Sequence, residues 1–101
     1  MQPFTEQEYE DMSVQIDIPP FLQHLTDDAT AAKVKGSTIG DCLNDFVKQY
    51  PKTKRLLFNK NAKLLRYVEV YVNGETTYPE ELTKRVKDGD AIAIVYLISG
   101  G

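Results

Sequence analysis

Tyr67-Val-Glu-Val-Tyr-Val-Asn-Gly-Glu75 reads as one arm of a β-hairpin and its turn. Val68, Val70 and Val72 alternate with Glu69 and Tyr71, the period-two pattern of a half-buried strand. Asn73-Gly74 then supplies the pair of positive-φ residues that a two-residue hairpin turn requires. A short return strand is expected near Thr76 to Tyr78. Working outward downstream, Pro79 to Val86 predicts a loop with a helical turn, and Asp88-Gly89-Asp90 is a second strong turn signal. The last strand is expected over Ala91 to Ile98.

Upstream, Val14, Ile16 and Ile18 alternate with Gln15 and Asp17 until Pro19-Pro20 ends the run. A loop of about a dozen residues should follow, through His24 and Asp27-Asp28. Ala32 and Val34 then alternate with Lys33 and Lys35 before Gly36, and the two runs are expected to pair antiparallel. Thr38 with Asp41 three residues on has the form of a capping box, which satisfies backbone N–H groups orphaned at a helix start. Ile39, Leu43, Phe46, Val47 and Tyr50 share one face of the helix that follows, and Pro51 stops it. Lys52 to Phe58 is expected to hold a short helical turn, followed by the polar Asn59-Lys60-Asn61.

The order is strand, strand, helix, strand, short strand, strand. This predicts an α+β fold, a mixed four- to five-stranded sheet with one main helix packed on one face. Ala91–Ile98 is apolar on both sides, however, with Ile92, Ile94, Tyr96 and Ile98 on one and Ala91, Ala93, Val95 and Leu97 on the other. Either the loops after Pro19 and Phe58 cover the second face, or it stays open as a partner-binding patch.

A length of 101 residues fits one domain. The 42% hydrophobic and 27% charged content is that of a globular chain. Residues 1–12 carry Glu6, Glu8, Glu10 and Asp11, no Lys or Arg and no hydrophobic period, and are expected to form a disordered acidic extension. The remainder has 12 basic and 11 acidic residues, too near neutrality to predict nucleic-acid binding. Lys52, Lys54 and Arg55 form a short cluster, expected as solvated surface. The longest apolar run falls far short of the roughly 20 residues that span a bilayer. With no apparent secretory signal and the single Cys42, a monomer in the cytoplasm is expected.

Phosphate-loop, dinucleotide, HExxH and CxxC motifs are all missing, so no catalysis and no bound cofactor are expected. Cys42 lies beside the apolar helix face and is expected to be a structural thiol. His24, with only Asp27 and Asp28 near it in sequence, is too sparse a set for a metal. Glu80-Glu81 and Asp27-Asp28 are adjacent pairs whose side chains should diverge into solvent. What remains is the end: Gly100-Gly101 follows directly on an apolar strand, separated only by Ser99. Such a pair arises by chance in roughly one protein in 200 at about 7% glycine usage, so its placement is what makes it a candidate site.

The segment Tyr67–Glu75, the turn Lys87-Asp-Gly-Asp90 and the ending Ile98-Ser-Gly-Gly101, in this order of elements, resemble the ubiquitin-like β-grasp sulfur carriers over about Ser13 to Gly101. That group includes the thiamine-pathway carrier, the small subunit of molybdopterin synthase, and carriers for cysteine or methionine synthesis. The resemblance implies a β-grasp domain over residues 13–98 and a flexible tail over 99–101. It implies that the Gly101 carboxylate is adenylated by an E1-like enzyme using Mg-ATP, then converted to a thiocarboxylate by a sulfurtransferase or sulfide donor. A biosynthetic enzyme would accept the sulfur. Gly100, Ser99 and Ile98 would be tail contacts with the partner, and Val95, Leu97 and Tyr71 a partner-facing sheet patch.

The pathway stays open. Ile18-Pro19, the long region from Pro51 to Arg66, and Arg66-Tyr67 resemble the longer cysteine-synthesis and molybdopterin-type carriers, whereas Val95-Tyr-Leu-Ile-Ser-Gly-Gly101 resembles the thiamine type. Tyr96 stands about where molybdopterin-type tails commonly carry a proline. A ubiquitin-like modifier would use the same Gly101 for transfer to lysines.

Overall fold

The computed structural model describes residues 13–97. The first strand, β1 (Val14–Asp17), leads through Pro19 into a four-residue helix, α1 (Pro20–Gln23). Strand β2 (Ala31–Val34) precedes the main helix, α2 (Ile39–Gln49). A 3-10 turn at Pro51–Thr53 runs into α3 (Lys54–Leu57). The hairpin strands are β3 (Val68–Val72) and β4 (Glu75–Thr76), and a second 3-10 turn at Glu81–Thr83 precedes β5 (Ala91–Tyr96).

The sheet runs β2-β1-β5-β3-β4. β1 pairs with β2 antiparallel, as expected, and with β5 parallel, while β5 pairs with β3 antiparallel. The last strand therefore sits in the middle of the sheet, with a hydrogen-bonded neighbour on each edge. Asn73 at φ 51° and Gly74 at φ 83° form the positive-φ hairpin turn predicted from their sequence.

Thr38 accepts the Asp41 N–H at 3.1 Å, so the predicted cap forms. The reciprocal half differs from a standard capping box. The Asp41 carboxylate takes the backbone N–H and hydroxyl of Ser37, one residue earlier, at 3.3 and 3.2 Å. Helix α2 is further held by Ile39 N–H to the Lys84 carbonyl and by Gln49 to the Lys33 carbonyl. Its apolar face buries Ile39, Cys42, Leu43 and Phe46 against Ile16, Val34, Val70 and Ile92 from the sheet.

The dozen-residue loop after Pro19 contains α1, which sequence patterning did not anticipate. Pro20 occupies a first-turn position where its missing N–H costs nothing, and four residues are too few to show a period. Of the two ways to treat the second face of β5, the structure takes the open one. Leu22 and Leu57, from the segments after Pro19 and Pro51, are fully buried in the same cluster as the α2 face. They lengthen the helix-side layer, and no described segment covers the other side of the sheet. On that side Gln15, Asp17 and Lys33 are exposed, and Glu69, Tyr71, Ala91, Ala93 and Val95 are half-buried. The expected extension, 1–12, the last residue of the expected domain, Ile98, and the expected tail, 99–101, lie outside the described residues.

Candidate functional site: the end of the central strand

β5 ends at Tyr96 in the centre of the sheet, and two contacts fix that end. Leu97 N–H donates to the Tyr67 carbonyl at 2.7 Å, extending the ladder one residue beyond the strand. One position earlier, the Tyr96 hydroxyl donates to the Leu56 carbonyl at 2.7 Å. The Tyr96 ring lies 5.0 Å from that of Phe21 and 6.2 Å from that of Tyr67. Burial, and then the nearby Tyr67 phenol, push the Tyr96 hydroxyl up to about 12, so it remains a proton donor at any physiological pH. The last strand is thus staked to α1, α3 and the start of β3.

Around this stake lies an apolar rim. Phe21 is 58% exposed, Tyr67 49% and Leu97 52%, three of the four large hydrophobic residues exposed among the described residues. A shallow cleft of about 650 Å³ opens between Leu97, Tyr67, Arg66, Leu65 and Asn59. Phe21, Tyr67 and the Tyr96–Leu56 bond were not singled out from sequence. The only advance signal was Tyr96 alternating in phase with Ile92 and Ile94, which groups it with one face of β5 without ranking the two faces or naming a partner.

Of the expected sheet patch, Val95 and Tyr71 share the open face as diagonal neighbours, since Tyr71 faces Ala93 and Val95 faces Glu69 across the ladder. Leu97 lies one step further along the same phase, at the strand's exposed end. Ile98, Ser99, Gly100 and Gly101 lie outside the described residues.

The remaining candidates behave as side chains of the scaffold. Cys42 is fully buried, and its thiol is pushed up to about 11, first by burial and then by the carboxylates of Asp41, Asp45 and Asp90. His24 is an exposed residue at the end of α1, and no cluster able to hold a metal exists among the described residues. Glu80 is exposed, whereas Glu81 is half-buried, and its carboxyl is raised by desolvation and then by the nearby Glu69 charge. Asp90 is structural: it is buried, accepts the Lys87 N–H at 2.8 Å and takes the Asn73 amide at 2.9 Å, locking the two sharp turns together.

A mixed five-stranded sheet, one long helix across one face and a central last strand leading to the C-terminus define the ubiquitin-like β-grasp class. This chain belongs to the ThiS family, whose model matches residues 19–101. It is a ubiquitin-like carrier or modifier protein, a substrate of other enzymes and not an enzyme itself. One similar solved chain comes from the BexX/CysO complex of Amycolatopsis orientalis, at 31% identity over 87% of this chain and 99% of that one, with a TM-score of 0.79. Another is CysO of Mycobacterium tuberculosis, at 27% identity over 84% of this chain and 99% of that one, TM-score 0.77. SAMP1 of Haloferax volcanii shares the fold at 24% identity over 88% and 99%, TM-score 0.77. No curated protein matches the chain. Among the described residues no helix is long and apolar enough to cross a membrane.

Proposed function

We propose that this protein is a sulfur carrier whose Gly101 carboxylate is activated by an E1-like enzyme and converted to a thiocarboxylate for cofactor or amino-acid biosynthesis. The observation that carries this reading is the fixed root of the C-terminus: β5 is central, Tyr96 is staked to Leu56, and Ser99-Gly100-Gly101 follows three residues later. Likeness to two CysO chains, one crystallised in a complex, supports a protein that works by presenting itself to a partner.

The chemistry follows from the leaving group. A carboxylate carbonyl resists nucleophiles because oxide is a poor leaving group. Attack of the Gly101 carboxylate on the α-phosphorus of ATP releases pyrophosphate and forms an acyl-adenylate. Sulfide then adds to the carbonyl and AMP departs, leaving the thiocarboxylate. Mg-ATP belongs to the activating enzyme. Glycine at both last positions lets the tail enter a narrow channel with no Cβ to obstruct it. Gly100, Ser99 and Ile98 would line that channel, while Val95, Leu97 and Tyr71 would rest on the enzyme's surface outside it.

Intact-mass spectrometry tests the proposal: the protein is incubated with the E1-like enzyme of the same genome, Mg-ATP and sulfide. The expected result is a single O-to-S exchange mapped to Gly101 and abolished by deleting that residue. Isopeptide adducts on lysines would instead make the chain a modifier, and transfer of sulfur to a molybdopterin precursor would make it the small subunit of that synthase. The absence of any ATP-dependent change at Gly101 would overturn the reading.

A further inference from the structure

A second surface gathers charge to which the sulfur carriage proposed above assigns no role. Between Phe46 and Val68 the chain holds seven of its twelve Lys and Arg residues and no Asp or Glu. The turn at Pro51–Thr53, helix α3 and the loop after Phe58 bring Lys52, Lys54, Arg55 and Lys60 together with His24 around a cleft of about 830 Å³. Its floor is apolar, formed by Leu25, Leu56 and Phe58. All four cations are exposed, and among the described residues no carboxylate pairs with them. Like charges ringed about a low-dielectric floor repel one another, and an acidic ligand with an apolar anchor relieves that repulsion. Sequence patterning found only the Lys52, Lys54 and Arg55 cluster, since His24 and Lys60 join it through the fold.

The chain itself holds a segment of the complementary kind. Phe4-Thr-Glu-Gln-Glu-Tyr-Glu-Asp11 carries four carboxylates and no cation, and Phe4, Glu6, Glu8 and Glu10 recur at every second position. We propose that this acidic segment docks in the basic cleft of its own chain, Phe4 on the apolar floor and Glu6 and Glu8 against Lys52, Lys54, Arg55 and Lys60.

Distance selects those residues. Ser13 is pinned at the start of β5, its carbonyl accepting the Gly89 N–H and its N–H donating to Asp88. The cleft lies past the other end of β5, where Tyr96 reaches Leu56. One strand length separates them, roughly 20 Å for six residues at about 3.3 Å each. Extended chain from Ser13 carries Glu6 about 23 Å and Phe4 about 30 Å, and Glu8 about 17 Å, from where its side chain and a lysine's together span the remainder, whereas Glu10 and Asp11 stop at roughly 10 Å or less. Exposed charge pairs contribute little one by one. Tethering makes the encounter intramolecular, at an effective concentration of about millimolar, so a few weak pairs and one apolar anchor suffice.

Backbone-amide NMR tests this without reference to the chemistry of Gly101. Spectra are compared for the full chain, a chain begun at Met12, and the full chain carrying Glu6→Gln and Glu8→Gln. Among the described residues the hydrophobic core lies between Val14 and Tyr96, and neither change alters any of those residues. The expected result is that truncation shifts the amides of Leu25, Lys54, Arg55 and Phe58, and that the double variant shifts them the same way. Raising salt from about 50 mM to about 500 mM should move the full chain toward the truncated spectrum, because the screening length falls about threefold, from about 14 Å to about 4 Å. Shifts confined to Ser13–Gln15 and Asp88–Asp90 would overturn the proposal. So would cleft shifts that grow with protein concentration, which would mean that the segment of another copy is the occupant.

Discussion

Thr38 stands where the first N–H groups of α2 lack helical acceptors, and its hydroxyl oxygen takes one of them. Thr38→Ala should therefore cost about 1 kcal/mol in urea unfolding. Asp41 acts beside it. The Ser37 backbone N–H, then the Ser37 hydroxyl, hold its carboxyl below the ordinary 3.8. A carboxyl whose pKa is lower folded than unfolded adds stability above its unfolded value, and that stability is lost as pH falls through the folded value. Asp41→Asn should flatten the stability profile below about pH 4 and leave its shape near neutrality unchanged. A profile unchanged below that pH would show that the Ser37 contacts do not form in solution. Cys42 offers an independent readout of the core. With its thiol near 11, iodoacetamide at pH 8 should label the native chain far more slowly than the urea-unfolded chain. Equal rates would mean that α2 does not bury it. The cap and the buried thiol were both legible in sequence, because each depends on residues within one or two helical turns. The Ser37 contribution was not, since Asp41 was read as reaching back to Thr38.

The elements divide according to how far their signals extend. Hairpin β3–β4 was legible because alternation and Asn-Gly chemistry act within nine residues. Its glycine and one other give contrasting tests. Gly74 sits at φ 83° with nothing near a would-be Cβ, so Gly74→Ala should cost only backbone strain, about 1 kcal/mol. Gly36 lies where a Cβ would come 2.5 Å from the Asp41 Cβ and 2.9 Å from the Cys42 nitrogen. Gly36→Ala must push the first turn of α2 away from the end of β2 and should cost more than Gly74→Ala in the same urea titration. The reverse order would mean that the α2 start can yield without loss. Helix α1 escaped sequence reading because four residues carry no period. Strand β4 came earlier and shorter than expected, at Glu75–Thr76, because Thr77 turns inward. Its hydroxyl bonds the Val70 carbonyl at 2.7 Å, and Tyr78-Pro79 follows.

At the scale of the whole molecule, the open face of the sheet separates stability from partnership. Val95 and Tyr71 stand on the side that no described helix covers, and Val95 faces Glu69 across the ladder, so Val95→Lys, which sets opposite charges together, should leave the urea midpoint nearly unchanged. If that face meets the activating enzyme, the same substitution should lower kcat/KM for Gly101 adenylation by about tenfold, as the loss of a central contact does. Unchanged activation would assign the face to solvent. Sequence by itself determined what is written locally: the strand runs, the two sharp turns, the cap, the single long helix and the terminal Gly-Gly, since periodicity and turn chemistry act over a few neighbouring residues. It left undecided which side of the doubly apolar β5 is core, because alternation labels two faces without ranking them. Only the tertiary structure decided that, by laying α1 and α3 with α2 over one side. It also joined Asn73 to Asp90, Tyr96 to Leu56, and His24 to the Lys52–Lys60 cleft. Those pairings depend on backbone carried through 17 to 40 residues, and no short-range pattern encodes where so distant a neighbour will arrive.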